Sequence, residues 1–376
     1  MQQDKPAGIS FFEKNLTLWV VLCMIAGVMI GVFLPAIPEF LGQFEYAKVS
    51  IPIAVLIWLM IFPMMMKVDF ASIKHVTTEP KGLYITWIVN WLIKPFTMFA
   101  IAYFFFFVVF SALIPEELAR DYLAGAILLG AAPCTAMVFV WSHLTRGNSA
   151  YTVVQVATND LIILIAFTPI VALLLGVGGI TIPWDTLLLS VVLFVVIPLA
   201  AGIVARNVVI KRKGETYFTE SFIPKFNNVT VVGLLLTLVL IFSFQGDVIL
   251  SNPLHIVLIA IPLIIQTVLV FFIAYLAGRR LCLRHSIAAP GAMIGASNFF
   301  ELAVAVAITL FGAASPVVLA TIVGVLVEVP IMLALVAFAN RTKDWFPAER
   351  AAAPQAADSG TPAGESVMSG GIATQE

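Results

Sequence analysis

Charge is scarce in this chain. Lysine, arginine, aspartate and glutamate make up 11% of its 376 residues, against 61% hydrophobic. Soluble globular proteins carry about 25% charged residues, so the composition excludes a water-surrounded domain and predicts a polytopic membrane protein. A mean hydropathy of +1.06 agrees. The net charge is -1 and no basic tract occurs, so no nucleic-acid partner is expected. Cysteine is nearly missing. Cys23, Cys134 and Cys282 show no C-x-x-C spacing, which excludes a disulfide framework or a zinc site by pattern. His75, His143, His255 and His285 are scattered through loops and span ends, a poor basis for a metal site. No Ser/His pair, H-E-x-x-H or G-x-G-x-x-G lies at a useful position, so neither an enzyme nor a cofactor is expected. Residues 1–12 include Asp4, Lys5 and Pro6 and lack a small-residue cleavage site, so no cleavable signal peptide is expected.

What is abundant is long apolar runs. Spans of about 20 apolar residues mark transmembrane helices, and ten are expected: Leu16–Leu34, Val49–Met66, Leu83–Phe110, Leu123–Ser142, Ala150–Gly176, Thr186–Arg206, Pro224–Gln245, Pro253–Gly278, Ile287–Phe311 and Val317–Ala339. Lysine and arginine concentrate in loops that stay cytoplasmic. With ten spans, 17 of the 20 basic residues fall on one side, leaving Lys48 and Arg120 opposite and Lys94 inside the third span. That predicts an inner-membrane protein surrounded by lipid, with both termini in the cytoplasm. Residues 1–342 form the transmembrane domain. Residues 343–376, rich in Ala, Pro, Gly and Ser, are expected to be a disordered cytoplasmic tail.

One apolar run is unlike the rest. Gly130-Ala-Ala-Pro-Cys-Thr-Ala-Met-Val-Phe-Val-Trp141 carries a proline, small residues and a lone thiol. A helix broken at membrane depth is tolerated only where protein or a water-filled cavity covers the freed backbone. Gly130 and Pro133 therefore mark a break that lines a path. The ninth span echoes it: Gly295-Ala-Ser-Asn-Phe-Phe-Glu leads to a turn at Gly312, as Gly130 leads to a turn at Gly147, both 17 residues on. Each next span then has a polar interruption, Asn159-Asp160 in one and Glu328 in the other. Five and five spans, the second half inverted, would place the site at the bilayer midplane between the two breaks.

Ionisable groups at membrane depth are costly and are functional candidates. Glu301 follows Ser297-Asn298 and can bind a cation or take up a proton; the alternative is a structural pair with Lys94. Asp160 is a second candidate for cation binding, proton relay or backbone capping. Lys94, ahead of the kinking Pro95, is expected to neutralise Asp160 or Glu301. Glu328, near Pro330, reads as a kink cap. Asn90, Gln155 and Gln266 read as interhelical hydrogen-bond glue. A lone membrane cysteine is usually a small core residue, the reading for Cys23 and Cys282. Cys134 differs by its neighbours Pro133 and Thr135. A thiol selects soft, thiophilic species, and a single one suits a contact that must later release.

Gly130 to Ser142, Asn159-Asp-Leu-Ile162, Ile294-Gly-Ala-Ser-Asn-Phe-Phe-Glu-Leu302, Trp91-Leu-Ile-Lys-Pro-Phe96 and Phe62-Pro-Met-Met-Met-Lys-Val-Asp69 resemble the arsenical-resistance-3 family of arsenite efflux permeases, within the bile-acid/sodium symporter superfamily. The resemblance covers residues from about 10 to 342. It implies two inverted five-helix repeats, panel and core domains, and crossing breaks in the fourth and ninth helices. It further implies arsenite as substrate, antimonite in many members, and export driven by proton uptake, with Cys134 and Glu301 as the essential pair. Thr135, Ser297 and Asn298 would supply contacts to substrate hydroxyls. Two other readings compete. A passive metalloid channel would not need buried carboxylates, and a sodium-coupled organic-anion symporter would leave Cys134 idle.

Overall fold

The computed structural model describes residues 16–46, 49–68, 80–135, 137–251 and 253–346. It is helical almost throughout, as lipid demands: only a helix satisfies its own backbone away from water. In chain order, α1 (Leu16–Phe33) bends by 92° into α2 (Ala36–Gly42). Two-residue strands at Glu45–Tyr46 and Val49–Ser50 pair antiparallel and lead into α3 (Ile51–Met66). Then come α4 (Pro80–Val109), α5 (Glu116–Gly130), α6 (Val138–Leu144) and α7 (Ser149–Val177). After α8 (Trp184–Lys213) and α9 (Glu215–Phe244) follow α10 (Gly246–Ser251) and α11 (Pro253–Arg280). The last are α12 (His285–Ala296), α13 (Phe300–Phe311) and α14 (Pro316–Arg341).

Six of these, α4, α7, α8, α9, α11 and α14, are long and apolar enough to cross a membrane; counting α1–α2 as one bent span gives seven. The expected all-helical polytopic class is therefore observed. Two of the expected spans are not single helices. The fourth is split into α5 and α6, and the ninth into α12 and α13. The polarity is reversed from that of a soluble protein. Leu92, Val177 and Ile165 are 66%, 63% and 79% exposed, whereas Asn90, Lys94, Gln155, Asp160 and Gln266 are fully buried. Apolar side chains face the hydrocarbon, and the polar ones are hidden where protein can satisfy them.

Helices α1, α3, α8 and α9 pack on one another, and α4, α5, α11, α12, α13 and α14 form a second group. Small residues permit the close crossings. A Cβ on Gly125 would lie 2.6 Å from Ala320 Cβ, which is how α5 comes to rest on α14. The turn between α13 and α14 needs Gly312, whose φ is +85°. Of the expected tail, Lys343–Trp345 form a 3₁₀ turn and Phe346 is buried, its ring 5.0 Å from that of Tyr275 and 5.5 Å from that of His285. Residues 347–376 lie outside the described residues, as do Lys5, Lys14, Lys48 and Lys74 among the loop charges.

Candidate functional site

The two interrupted helices meet at their interruptions. Helix α5 ends at Gly130, because Pro133 has no N–H to donate and disfavours helical geometry in the residue before it. Helix α12 ends at Ala296, and Ser297 is already extended, with ψ of 144°. The two stretches run antiparallel with Pro133 opposite Asn298. Cys134 N donates to Ser297 O at 3.2 Å, and Phe299 N donates to Ala132 O at 3.1 Å. Backbone groups freed by each break are thus partly satisfied by the other, which is one way such segments persist at membrane depth.

Two buried charged residues hold the crossing from opposite sides. Lys94 Nζ donates to Ser297 O at 2.5 Å and to Ala132 O at 3.4 Å. Glu328 Oε1 accepts from Ser297 Oγ at 2.5 Å and from Asn298 N at 3.1 Å. Ser297 is therefore gripped through both its carbonyl and its hydroxyl. Lys94 itself is delivered by a π-turn, Val89–Ile93, whose closing bond runs from Lys94 N to Val89 O. Such one-turn defects recur at functional positions, and here Pro95 keeps the following helix from closing in the ordinary way.

Cys134 is 2% exposed. Its side chain packs with Val138, Val156 and Ile294 in an apolar cluster separate from the main core. The Ser297 hydroxyl, the Met137 N–H and the carboxyl groups of Glu301 and Glu328 are near enough to act on the sulfur electrostatically. Glu301 occupies the first turn of α13, and its Oε2 has no hydrogen-bond partner among the described residues. The same holds for Thr135 Oγ1, Asn298 Oδ1 and Trp141 Nε1, all buried. A buried polar atom left without a partner costs roughly 1–3 kcal/mol. A thiol at a crossing that also holds Thr135, Asn298 and Glu301 is suited to a small ligand bearing hydroxyl groups.

The expected site residues divide unevenly. Cys134, Thr135, Ser297, Asn298 and Glu301 gather at the crossing, with Pro133 in the break and Gly130 at its edge. Gly295 is different: it is helical, two residues short of the break, and its small size makes room for Val89, whose Cγ1 would stand 3.1 Å from an added Cβ. The expectation that Lys94 neutralises Asp160 or Glu301 needs correcting. Its hydrogen bonds go to two backbone carbonyls, and the acidic groups near enough to act on it are Glu328 and Cys134. Asp160 is fully buried with both carboxyl oxygens unpartnered. Its neighbour Asn159 accepts from Asn90 Nδ2 and Trp91 Nε1. Asn90 joins two helices as expected, whereas Gln155 Nε2 donates to Tyr151 of its own helix and neither amide atom of Gln266 has a partner among the described residues.

Glu328 belongs to the site and was underrated by its sequence neighbourhood. It caps the break of the ninth span rather than the kink at Pro330. The signal that identifies it is its place in the repeat, matching Asn159-Asp160 in the first half.

Comparison with known proteins agrees with this architecture. The model of the sodium bile acid symporter family matches residues 54–252. The arsenical-resistance protein Acr3 of Alkaliphilus metalliredigens is 64% identical over 340 residues, covering 90% of this chain and 95% of that protein. Acr3 of Corynebacterium glutamicum is 35% identical over 341 residues, covering 88% and 90%. An uncharacterized transporter of Synechocystis is 46% identical over 348 residues, covering 90% and 91%. Matches of this extent, on a multi-pass helical chain with a thiol at the crossing of two broken helices, make it a transporter of the Acr3 arsenical-resistance family, within the sodium bile acid symporter family.

Proposed function

We propose that the protein exports arsenite, As(OH)3, from the cytoplasm across the inner membrane in exchange for protons, and that antimonite is a second substrate. The observation that carries this reading is the lone buried thiol of Cys134 beside Glu301 at the crossing, in a chain whose relatives are named for arsenical resistance. Trivalent arsenic is thiophilic. The Cys134 S–H condenses with one As–OH, forming one S–As bond and breaking one As–O bond. The thiol proton leaves with that hydroxyl as water, and water reverses the step on release. Three thiols would hold such a ligand too tightly for transport; one permits exchange. Thr135, Ser297 and Asn298 meet the remaining hydroxyls on this reading.

Arsenite is neutral at pH 7, so the membrane potential alone gives it no direction. The coupling proton supplies direction. Ten spans arranged as two inverted five-helix repeats would set the α1, α3, α8 and α9 group as a panel against which the crossing-bearing core rocks, both termini being cytoplasmic. In the inward-facing state arsenite binds at Cys134. After the core opens outward, protonation of Glu301 from outside promotes release, and proton loss to the cytoplasm resets the cycle. Asp160, buried and without a hydrogen-bond partner among the described residues, serves as a second proton-carrying group on this reading. Channel and sodium-coupled mechanisms make different predictions in everted vesicles with an acid lumen. The proposed antiporter accumulates arsenite above the external concentration, loses that accumulation to a protonophore and ignores a sodium gradient. Simple equilibration insensitive to the protonophore, or a requirement for sodium, would overturn it.

A further inference from the structure

The Lys94 ammonium stands where two helix ends converge. Ala132 and Ser297 lie just beyond the C-termini of α5 and α12, and Lys94 Nζ is hydrogen-bonded to both of their carbonyls. A helix C-terminus carries about half a negative charge on its unsatisfied carbonyls. Two such ends are brought together at membrane depth, with the Glu328 carboxyl bonded to the Ser297 hydroxyl, and the negative potential they create calls for a compensating positive charge. Lys94 is fully buried. Among the described residues no carboxylate lies within ion-pair distance of it. Its contacts are carbonyl oxygens of unwound backbone.

Unwound backbone carbonyls and half-helix C-termini are also the groups that coordinate sodium in transporters with broken helices. The family to which this chain belongs is described as a sodium symporter family, yet at this crossing the positive charge is covalently part of the protein. We propose that Lys94 is a tethered substitute for a bound monovalent metal ion: its ammonium fills the cation position formed by the Ala132 and Ser297 carbonyls, and so frees the transport cycle from sodium. It acts as a positioning residue, keeping Ser297 and the Cys134 backbone in place, and need not touch the substrate. The flexible stem and compact charge of lysine suit the task, whereas the planar fork of arginine would not enter between the two carbonyls.

Truncation at this position should expose the cation site. Purified Lys94→Ala protein is compared with native protein by thermal unfolding in choline, sodium and methylammonium chlorides at constant ionic strength. Both are then reconstituted and assayed for arsenite uptake in the same salts. Native protein is expected to give one unfolding temperature and one uptake rate in all three. The variant is expected to unfold earlier in choline, to gain stability saturably with sodium or methylammonium as for any ligand selective for the folded state, and to recover uptake in parallel. No saturable response to either cation, or a sodium requirement in the native protein, would overturn the proposal. Lys94→Gln provides a second test if the alanine variant does not fold. It keeps an N–H donor on a side chain one atom shorter and removes the charge, so it is expected to fold and to lose transport; native uptake by this variant would also refute the proposal. The uptake arm rests on the arsenite reading, but the unfolding arm contains no arsenite. A native protein that moved no arsenite would therefore sink that reading and leave the cation response to decide this one.

Discussion

Ser297 shows how much of this site depends on single atoms. Its carbonyl accepts from Lys94 and Cys134 N, and its hydroxyl donates to Glu328. Glu328→Ala would strand that hydroxyl and the Asn298 N–H in the interior, at a cost of roughly 1–3 kcal/mol for each buried group left unmade. Glu328→Gln keeps an oxygen acceptor for both. Thermal unfolding should therefore rank native and Glu328→Gln close together and Glu328→Ala clearly below; equal stability of the two variants would mean that the bonds to Ser297 and Asn298 contribute little. At this scale the sequence was informative about chemistry and silent about partners. A thiol after proline and a carboxylate in an apolar run are visible by type. The bonds of Lys94 to Ser297, 203 positions away, and of Glu328 to Asn298 involve backbone atoms, which carry no residue-specific mark.

The broken helices were legible to different degrees. Pro133 removes a donor, so the first break announces itself. The second has no proline at Ser297–Phe299, and its position could be inferred only from the echo of the first. That is why the sequence pattern points to Gly295 as a breaking residue, when in the structure it is a packing residue. The distinction can be measured. An added Cβ at Gly130 would stand 2.6 Å from Met98 Cβ, a contact with the stem of a side chain that cannot swing away, whereas at Gly295 the nearest atom is Val89 Cγ1 at 3.1 Å. Overpacking costs about 1–3 kcal/mol. Gly130→Ala is expected near the upper end of that range and Gly295→Ala near or below the lower end, by unfolding in detergent. The reverse order would show that Gly295 is needed for more than room. The π-turn before Lys94 had no such sequence signal beyond Pro95, since the register of a helix interior is decided by its tertiary partners.

For the whole molecule, composition and basic-residue placement led to a multi-pass helical protein, and the helices bear that out. The seam between membrane domain and tail was harder to read. Trp345 and Phe346 are aromatic, and aromatic residues next to a helix end pack where they can: Trp345 lies against Arg279 and Phe346 against Tyr275 and His285. The proposed transport cycle links distant parts, because the thiol and the carboxylate belong to opposite halves of the chain. They meet only where the two breaks cross. The most direct test is arsenite accumulation in everted vesicles with an acid lumen, comparing native protein with Cys134→Ser and Glu301→Gln at matched abundance. The account predicts uphill accumulation by the native protein alone, with Cys134→Ser also losing arsenite exchange across the membrane and Glu301→Gln retaining exchange without accumulation. Accumulation by Cys134→Ser equal to native, or uphill transport by Glu301→Gln, would contradict it.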